Sequence, residues 1–308
     1  MQEPLPGVGN ATSPTARAQP AWPLSPVQAP GGARVRLVAT DLDGTLLQPD
    51  GSVSSRTVEA VAAAQAAGML VVPVTGRPPR VTWEAARTAG LGPLGACANG
   101  AAIVDVTSTQ VVESLTLGTA ACEQIVAEVR RSFPRVLFAV EDLECFTHEE
   151  GFMGPGWAWA DDTHQVGDIC GALHGRCMKL VARLPGWSAR QLMAEVRARV
   201  EGGYQVTSSG LDWVEVAPPG ATKAHAVQRL CARLGVGPDE VLAVGDHHND
   251  LTVLNWAAHA AAPANAIGEV LAVADLVLPA NSDDGVAVLL EALAASGGDV
   301  GAVPRHHR

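Results

Sequence analysis

The chain has 308 residues, of which 47% are hydrophobic and 17% are charged, a composition that excludes a wholly disordered protein. Its 32 acidic and 21 basic residues give a formal net charge of −11. We expect no binding to nucleic acid or to anionic membranes, because both require a positive surface. The six cysteines are scattered without a CxxC pair, so they predict free thiols in a reducing cytoplasm rather than a metal cluster or a disulfide framework.

Both ends of the chain are predicted to be tails. Residues 1–32 are rich in Pro, Ala, Gly and Ser and lack a cationic start followed by an apolar run, so they predict disorder rather than a targeting signal. Residues 297–308 are expected to form a second tail. The most apolar stretch, residues 60–74, contains Gln65, Gly68 and Pro73, which favour a helix followed by a strand over a membrane span.

Between the tails, buried strands alternate with helices in the first and last thirds of the chain. In the first third, the pattern predicts strands at Val35–Ala39 and Met69–Val74, a helix capped by Ser54 or Ser55 that runs to Ala67, and a helix at Arg80–Thr88. A hairpin turn at Asn99-Gly100 then precedes a strand at Ala101–Val106. In the last third, it predicts strands at Val241–Val244, Ala258–Ala262 and Leu276–Leu278, a helix capped by Thr222 that runs to Leu234, a helix at Leu251–Trp256, and a last helix that begins at Asp283 or Asp284 and runs to Leu293. This alternation predicts an α/β fold with a Rossmann-like, doubly wound parallel sheet and helices on both faces.

The middle of the chain has a different pattern. It predicts two amphipathic helices, Thr119–Arg131 and Ser188–Val200, and strands that include Val136–Val140 and Lys179–Leu184. We therefore expect residues 114–208 to form an α+β cap domain, inserted into a discontinuous core domain of residues 33–113 and 209–296.

Polar motifs follow three predicted strands of the core. They are Asp41-Leu42-Asp43-Gly44-Thr45 after the first, Thr75-Gly76-Arg77 after the second, and Gly245-Asp246-His247-His248-Asn249-Asp250 after a later one. Lys223 begins the helix before that later strand. Because ligands in open α/β sheets bind at the carboxyl ends of strands, we expect these motifs to converge at one edge of the sheet.

The convergent groups suit phosphoryl chemistry. Four neighbouring carboxylates repel one another unless a cation lies among them, and oxygen ligands favour Mg²⁺. One carboxylate can attack phosphorus directly, and a second can protonate the leaving alcohol and then activate water. Each motif alone also suits a structural role, such as a helix cap with acids near its N-terminus. Their joint occurrence in this order predicts a site for a phosphoryl group.

These motifs resemble those of the haloacid dehalogenase superfamily of phosphatases over about residues 33–296. Asn99-Gly100-Ala101 and Asn281-Ser282-Asp283-Asp284-Gly285-Val286 are similar to sequences of its Cof-type subgroup, whose C2-class α+β cap has the layout of the predicted insert. The resemblance implies Asp41 as the nucleophile and Asp43 as the general acid/base. It implies Mg²⁺ binding by the Asp41 and Asp246 carboxylates and the Asp43 backbone carbonyl, with Asp250 helping directly or through water, and phosphoryl binding by Thr75, the Gly76 amide, Lys223 and Asn249.

Three features keep two interpretations each. In the motif Gly245–Asp250, His247 and His248 follow the first Asp, where the family often has a small residue. The two histidines are either a tolerated variation of the loop or a source of a contact to phosphate or metal. Trp157, Trp159 and the Asp161-Asp162 pair are either ordinary cap core and loop, or groups that bind a sugar-like ring and its hydroxyls. Lys179 and Lys223 are the two lysines of the chain. A compact ammonium at Lys223 suits a crowded phosphoryl site, whereas Lys179 either has a function or is retained by chance.

The sequence therefore predicts a cytoplasmic, Mg²⁺-dependent phosphatase that hydrolyses a small phosphorylated metabolite through an aspartyl-phosphate. A sugar phosphate is the expected substrate by family resemblance, and the sequence does not name it or set the oligomeric state. The alternatives are a specialised relative, such as a phosphoglycerate-sugar phosphatase or a phosphomutase, and a phosphate- or metal-binding sensor without turnover.

Overall fold

The computed structural model describes residues 34–153, 163–173, 176–209 and 211–303. The predicted tail of residues 1–32 lies outside these ranges, as do Trp157, Trp159 and the Asp161-Asp162 pair. Of the predicted tail at residues 297–308, the part up to residue 303 is described and contains a short 3-10 turn, Val300–Ala302. Within the described ranges, every helix is too short or too polar to cross a membrane.

Strands and helices alternate along the described residues as the sequence predicts, and the ends of the predicted elements differ from those observed by at most three residues. In chain order the strands are β1 (Leu37–Thr40), β2 (Leu70–Pro73), β3 (Leu94–Cys97), β4 (Ala102–Asp105), β5 (Gln110–Ser114), β6 (Leu137–Glu141), β7 (Phe146–His148), β8 (His164–Val166), β9 (Lys179–Arg183), β10 (Gln205–Thr207), β11 (Val214–Ala217), β12 (Val241–Val244), β13 (His259–Pro263) and β14 (Leu276–Leu278). The helices are α1 (Ser55–Ala66), α2 (Pro79–Thr88), α3 (Thr119–Ser132), α4 (Ile169–Ala172), α5 (Ala189–Arg199), α6 (Lys223–Leu234), α7 (Leu251–Trp256), α8 (Gly268–Val273) and α9 (Gly285–Ser296).

The core is a parallel sheet in the order β14-β13-β12-β1-β2. Every residue of β1, β2 and β12 is buried, as expected for strands that are covered on both faces. Helices α1, α2 and α9 pack on one face, and α6, α7 and α8 pack on the other. The predicted doubly wound fold is confirmed.

Local capping positions the helices that surround the site. The Ser54 hydroxyl accepts a hydrogen bond from the Thr57 amide at the start of α1. The Thr222 hydroxyl accepts one from the His225 amide, so that α6 begins with Lys223 in its first turn. Both caps satisfy amides that have no partner within the helix.

A hairpin outside the main sheet brings Asn99 to the site. Strands β3, β4 and β5 form an antiparallel sheet, and the predicted turn lies between β3 and β4. Ala98, Asn99 and Gly100 all have positive φ, of 49°, 56° and 93°. The left-handed conformation is uncommon for residues other than glycine, so the adjacent residues Ala98 and Asn99 have an unfavourable backbone conformation here.

The insert contains a second sheet, in the order β10-β11-β9-β6-β7-β8. Helices α3, α4 and α5 pack on one face of it, and its other face carries an aromatic cluster that includes Phe146 and Trp213. Strand β11 pairs with β9 and lies beyond residue 208, where the sequence analysis ends the insert. We propose that the inserted domain extends through Ala217.

Candidate active site

The predicted site residues lie together because the core sheet is parallel. Asp41 follows β1, Thr75 and Gly76 follow β2, and Asp246 follows β12, so all four lie at the same edge. A cavity of about 540 Å³ opens there. Its walls are formed by Asp41, Asp43, Gly44, Thr75, Gly76, Arg77, Asp246 and Asn249 from the core, and by Glu141, Phe146, Lys179, Val181, Trp213 and Glu215 from the insert.

Lys223 lies at the base of this site. Its Nζ is 2.8 Å from Asp41 Oδ1 and 2.6 Å from Asp250 Oδ1, and its side chain is fully buried. Burial lowers the pKa of Lys223, but attraction to the two carboxylates outweighs burial and raises the pKa above its usual value. The lysine is therefore a permanent positive charge beside Asp41.

Three carboxylates form the negative part of the site. One oxygen from each of Asp41, Asp246 and Asp250 lies within 4.8 Å of the others. Burial raises the pKa of Asp41 well above its ordinary value, with Lys223 opposing and the two neighbouring acids adding to the rise. Burial, together with repulsion from Asp250, raises the pKa of Asp246 to about 6. The Thr45 hydroxyl donates a hydrogen bond to Asp246 over 2.8 Å, which opposes this rise in pKa. A hard divalent cation fits this set of oxygen donors.

Asp250 is already engaged on both oxygens. Its Oδ1 pairs with Lys223, and its Oδ2 accepts hydrogen bonds from the amides of Asp246 and His247, each over 3.0 Å. A Cβ at Gly245 would overlap the Asp250 side chain, which explains the glycine at this position. Asp250 therefore holds the loop and the lysine in place.

Asp43 is held differently from the other acids. Its two oxygens accept hydrogen bonds of 2.7 and 2.6 Å from Arg77 Nε and Nη2, and its side chain is 55% exposed. Gly44 turns the chain with φ +71°, and a Cβ there would overlap the Asp246 carboxylate. Arg77 belongs to the Thr75-Gly76-Arg77 motif, which predicts no role for it, and the structure pairs it with Asp43.

Amide and hydroxyl groups face the other side of the cavity. The buried Thr75 hydroxyl accepts a hydrogen bond from the Arg77 amide over 3.1 Å. Asn249 Nδ2 donates to Asn99 Oδ1 over 3.0 Å, and the Asn249 Oδ1 has no hydrogen-bond partner in the described protein. A Cβ at Gly76 would lie 3.0 Å from Asn99 Oδ1, so a glycine at this position lets Asn99 approach.

Comparison with known proteins identifies the family of the chain. The family model of the haloacid dehalogenase-like hydrolases matches residues 38–290. The chain belongs to this family. It is 28% identical over 273 residues to the putative phosphatase YxeH of Bacillus subtilis, covering 82% of this chain and 96% of YxeH. It is 26% identical over 261 residues to the pyridoxal phosphate phosphatase YbhA of Escherichia coli, covering 82% of this chain and 96% of YbhA.

A solved structure shows the same fold. The chain superposes on a sugar phosphatase of haloacid dehalogenase subclass IIB with a TM-score of 0.73 and 19% identity, covering 86% of this chain and all of that one. The family and the fold expected from the sequence are thus confirmed. The enzyme class is confirmed as well: this haloacid dehalogenase-like hydrolase is a phosphatase, a phosphoric monoester hydrolase.

His247 and His248, in the motif that follows β12, lie beside the carboxylates. His247 Nδ1 is 3.1 Å from the Ser208 carbonyl oxygen of the insert. The His248 ring packs edge-on against the His247 ring, with 4.9 Å between the ring centroids. Burial lowers the pKa of His248. In the described part of the chain, neither imidazole joins the cluster of Asp41, Asp246 and Asp250.

The residues that the sequence analysis missed come from the insert. Glu141, Trp213 and Glu215 line the cavity but lie in no recognisable motif. Lys179, singled out as one of two lysines, lies in the same wall. Glu141 is buried beside Arg80, with a hydrogen bond of 3.2 Å from Arg80 Nη2. Burial raises the pKa of Glu141 to about 7, although Arg80 opposes the rise.

Proposed function

We propose that this phosphatase is Mg²⁺-dependent and hydrolyses a small phosphorylated metabolite through an aspartyl-phosphate at Asp41. The observation that carries the proposal is the position of Asp41, which is buried, paired with Lys223, and open to a cavity of about 540 Å³. A cavity of this size suits a small molecule. The negative charge of the chain does not exclude an anionic substrate, because Lys223 and a bound cation reverse the field locally.

The donor set supports Mg²⁺ as the cation. The carboxylates of Asp41 and Asp246 and the backbone carbonyl of Asp43 would hold it, since hard oxygen donors suit this ion. Asp250, whose oxygens accept from Lys223 and two amides, would help to hold the ion directly or through water. The bound ion would supply positive charge that offsets the negative charge of the phosphoryl oxygens.

The acids have complementary tasks in the proposed reaction. Asp41 attacks phosphorus, and the bond to the leaving alcohol breaks as Asp43 gives that oxygen a proton. Asp43 then takes a proton from water, which attacks the phosphoryl group and releases Asp41. Its exposed position beside Arg77 gives it access to both the alcohol and the water.

The remaining groups bind the phosphoryl oxygens in this proposal. The Thr75 hydroxyl, the Gly76 amide and the second hydrogen of Asn249 Nδ2 donate to them, and Lys223 neutralises charge between nucleophile and phosphate. The insert covers the cavity, which limits access of water to the reacting atoms.

The substrate we propose is a sugar phosphate or a similar phosphorylated metabolite. The subclass IIB sugar phosphatase and the pyridoxal phosphate phosphatase to which the chain is similar both support a small phosphate monoester. All six cysteines are free thiols, which supports our proposal that the protein acts in a reducing cytoplasm.

Phosphate release from p-nitrophenyl phosphate tests this function. We expect steady release with Mg²⁺, loss of release with EDTA, and loss of release in Asp41→Asn. Asp105→Asn, which changes an exposed turn outside the cavity, is the matched control and should retain activity. Absence of release from p-nitrophenyl phosphate and from a panel of phosphorylated metabolites would refute the proposal; transfer to a second hydroxyl without release would indicate a mutase.

Single His247→Ala and His248→Ala variants resolve the role of the two imidazoles. The contact of His247 with Ser208 and the absence of both rings from the described carboxylate cluster favour a loop role. We expect both variants to keep the Mg²⁺ concentration dependence of the wild type. A weaker response to Mg²⁺ in either variant would assign that histidine to the metal.

A further inference from the structure

The cavity face of the insert carries a buried ion pair. Lys179 Nζ lies 2.6 Å from Glu215 Oε1, and the two side chains are 7% and 1% exposed. They stand on neighbouring strands, β9 and β11, of the insert sheet. The desolvation cost of burying two charges can exceed their attraction, so such a pair is weak evidence for stability. A role in the site therefore explains this buried pair better than stability does.

Both members of the pair also reach the core. Lys179 Nζ donates to the Gly76 carbonyl oxygen over 2.9 Å. Glu215 Oε2 accepts from Asn99 Nδ2 over 2.6 Å, and Asn99 Oδ1 in turn accepts from Asn249 Nδ2 over 3.0 Å. An unbroken polar path thus joins the insert to the two positions, Gly76 and Asn249, that the proposed function assigns to the phosphoryl group.

The middle of this path is held in a costly backbone conformation. Ala98 and Asn99 have φ of 49° and 56°, a left-handed conformation that strains the backbone of residues other than glycine. The strain places the Asn99 side chain between Glu215 and Asn249, against the glycine at position 76. Its amide orientation follows from its neighbours, because the Glu215 carboxylate only accepts hydrogen bonds.

We propose that Lys179 and Glu215 are positioning residues that set the geometry of the phosphoryl site from the insert. The Lys179 ammonium holds the peptide plane that follows Gly76, and Glu215 fixes Asn99, which fixes Asn249. The contacts that hold the insert over the cavity then also arrange the phosphoryl-binding groups. This inference rests on the proposed function, and it assigns a role to the lysine that the sequence left open.

Binding of inorganic phosphate separates positioning from other roles, because phosphate has no leaving group for the insert to contact. We would measure its Kd by calorimetry at saturating Mg²⁺, and kcat and KM with p-nitrophenyl phosphate, in Lys179→Met, in Glu215→Gln and in the double variant. Glu149→Gln, which removes an ion pair with Arg130 in the insert away from the cavity, is the matched control.

Each single variant should raise the phosphate Kd by about tenfold, which corresponds to about 1.4 kcal/mol, and lower kcat/KM similarly. The control should change neither. The double variant removes both buried charges, so it should regain unfolding free energy relative to the singles while phosphate binding stays weak. Asn99→Gly, which keeps the left-handed backbone without the side chain, should also weaken phosphate binding and gives the answer if the Lys179 and Glu215 variants do not fold.

Two results would overturn the inference. Wild-type phosphate affinity in the double variant or in Asn99→Gly would make the pair a structural element only. An unchanged phosphate Kd with a raised KM for esters would show that Lys179 and Glu215 contact the leaving group. A wild-type protein that binds phosphate but hydrolyses no ester would instead refute the proposed function and leave the positioning role measurable by calorimetry.

Discussion

Replacing Lys223 by methionine removes a buried positive charge with little change in side-chain length. The ammonium lies 2.8 Å from Asp41 and 2.6 Å from Asp250, in a position without solvent contact. Removal of one partner from a buried ion pair costs about 3–5 kcal/mol, because the remaining charge has no compensation. We therefore expect Lys223→Met to lose about 3–5 kcal/mol of unfolding free energy without metal, a large share of the about 5–15 kcal/mol typical of native proteins.

Urea unfolding in EDTA at pH 7.5 measures this loss. The matched control is Arg56→Met, which breaks a bidentate pair with Glu291 whose side chains are 45% and 44% exposed. Exposed pairs contribute at most about 1 kcal/mol. At pH 5 the deficit of Lys223→Met should shrink, because without the lysine the buried acids protonate more readily and carry less uncompensated charge.

The metal dependence gives a second measurement on the same variant. Saturating Mg²⁺ should stabilise Lys223→Met more than the wild type, because the cation then replaces the missing positive charge beside Asp41. Activity should fall to background all the same, since Lys223 no longer offsets charge at Asp41, the proposed nucleophile. A loss of unfolding free energy no larger than that of Arg56→Met would refute the reasoning.

Three further changes test other parts of the site. Gly44→Ala should lower the unfolding free energy by about 1–2 kcal/mol, because residue 44 has a left-handed backbone. It should also weaken Mg²⁺ binding, because the methyl group overlaps Asp246. Thermal unfolding and a Mg²⁺ titration measure the two effects, and wild-type values in both would contradict the prediction. Mg²⁺ should raise the Tm of the wild type clearly more than that of Asp246→Asn. Equal shifts in Tm would exclude Asp246 as a metal ligand. Glu141, with its pKa raised to about 7, binds its proton more tightly in the folded than in the unfolded state, so its contribution to stability is greatest below about pH 4.5 and is lost as the pH rises through about 7. The unfolding free energy of the wild type should accordingly fall by about 1–3 kcal/mol more between pH 5 and pH 7.5 than that of Glu141→Gln, whereas parallel pH profiles would show that Glu141 keeps an ordinary pKa.

The core and its acidic residues were predictable because their signals are local. Buried strands such as β1 and β12 are short apolar runs, and the caps at Ser54 and Thr222 are single polar residues before amphipathic helices. Once the sheet is parallel, everything that follows a strand lies at the same edge. Asp41, Asp246 and the residues after β2 therefore converge by topology alone.

Only the tertiary structure placed the insert wall of the cavity. Strand residues alternate between faces, so the register of β9 and β11 decides that Lys179 and Glu215 face the cavity while Leu180 and Val216 pack on α3 and α5. Asn99 meets Glu215 across 116 positions of sequence. The sequence by itself determined the fold class, the edge of the sheet where the candidate site lies and the acids that meet there. Which distant side chains meet them depends on sheet pairing and packing of the insert, because these contacts join segments that carry no local signal of one another.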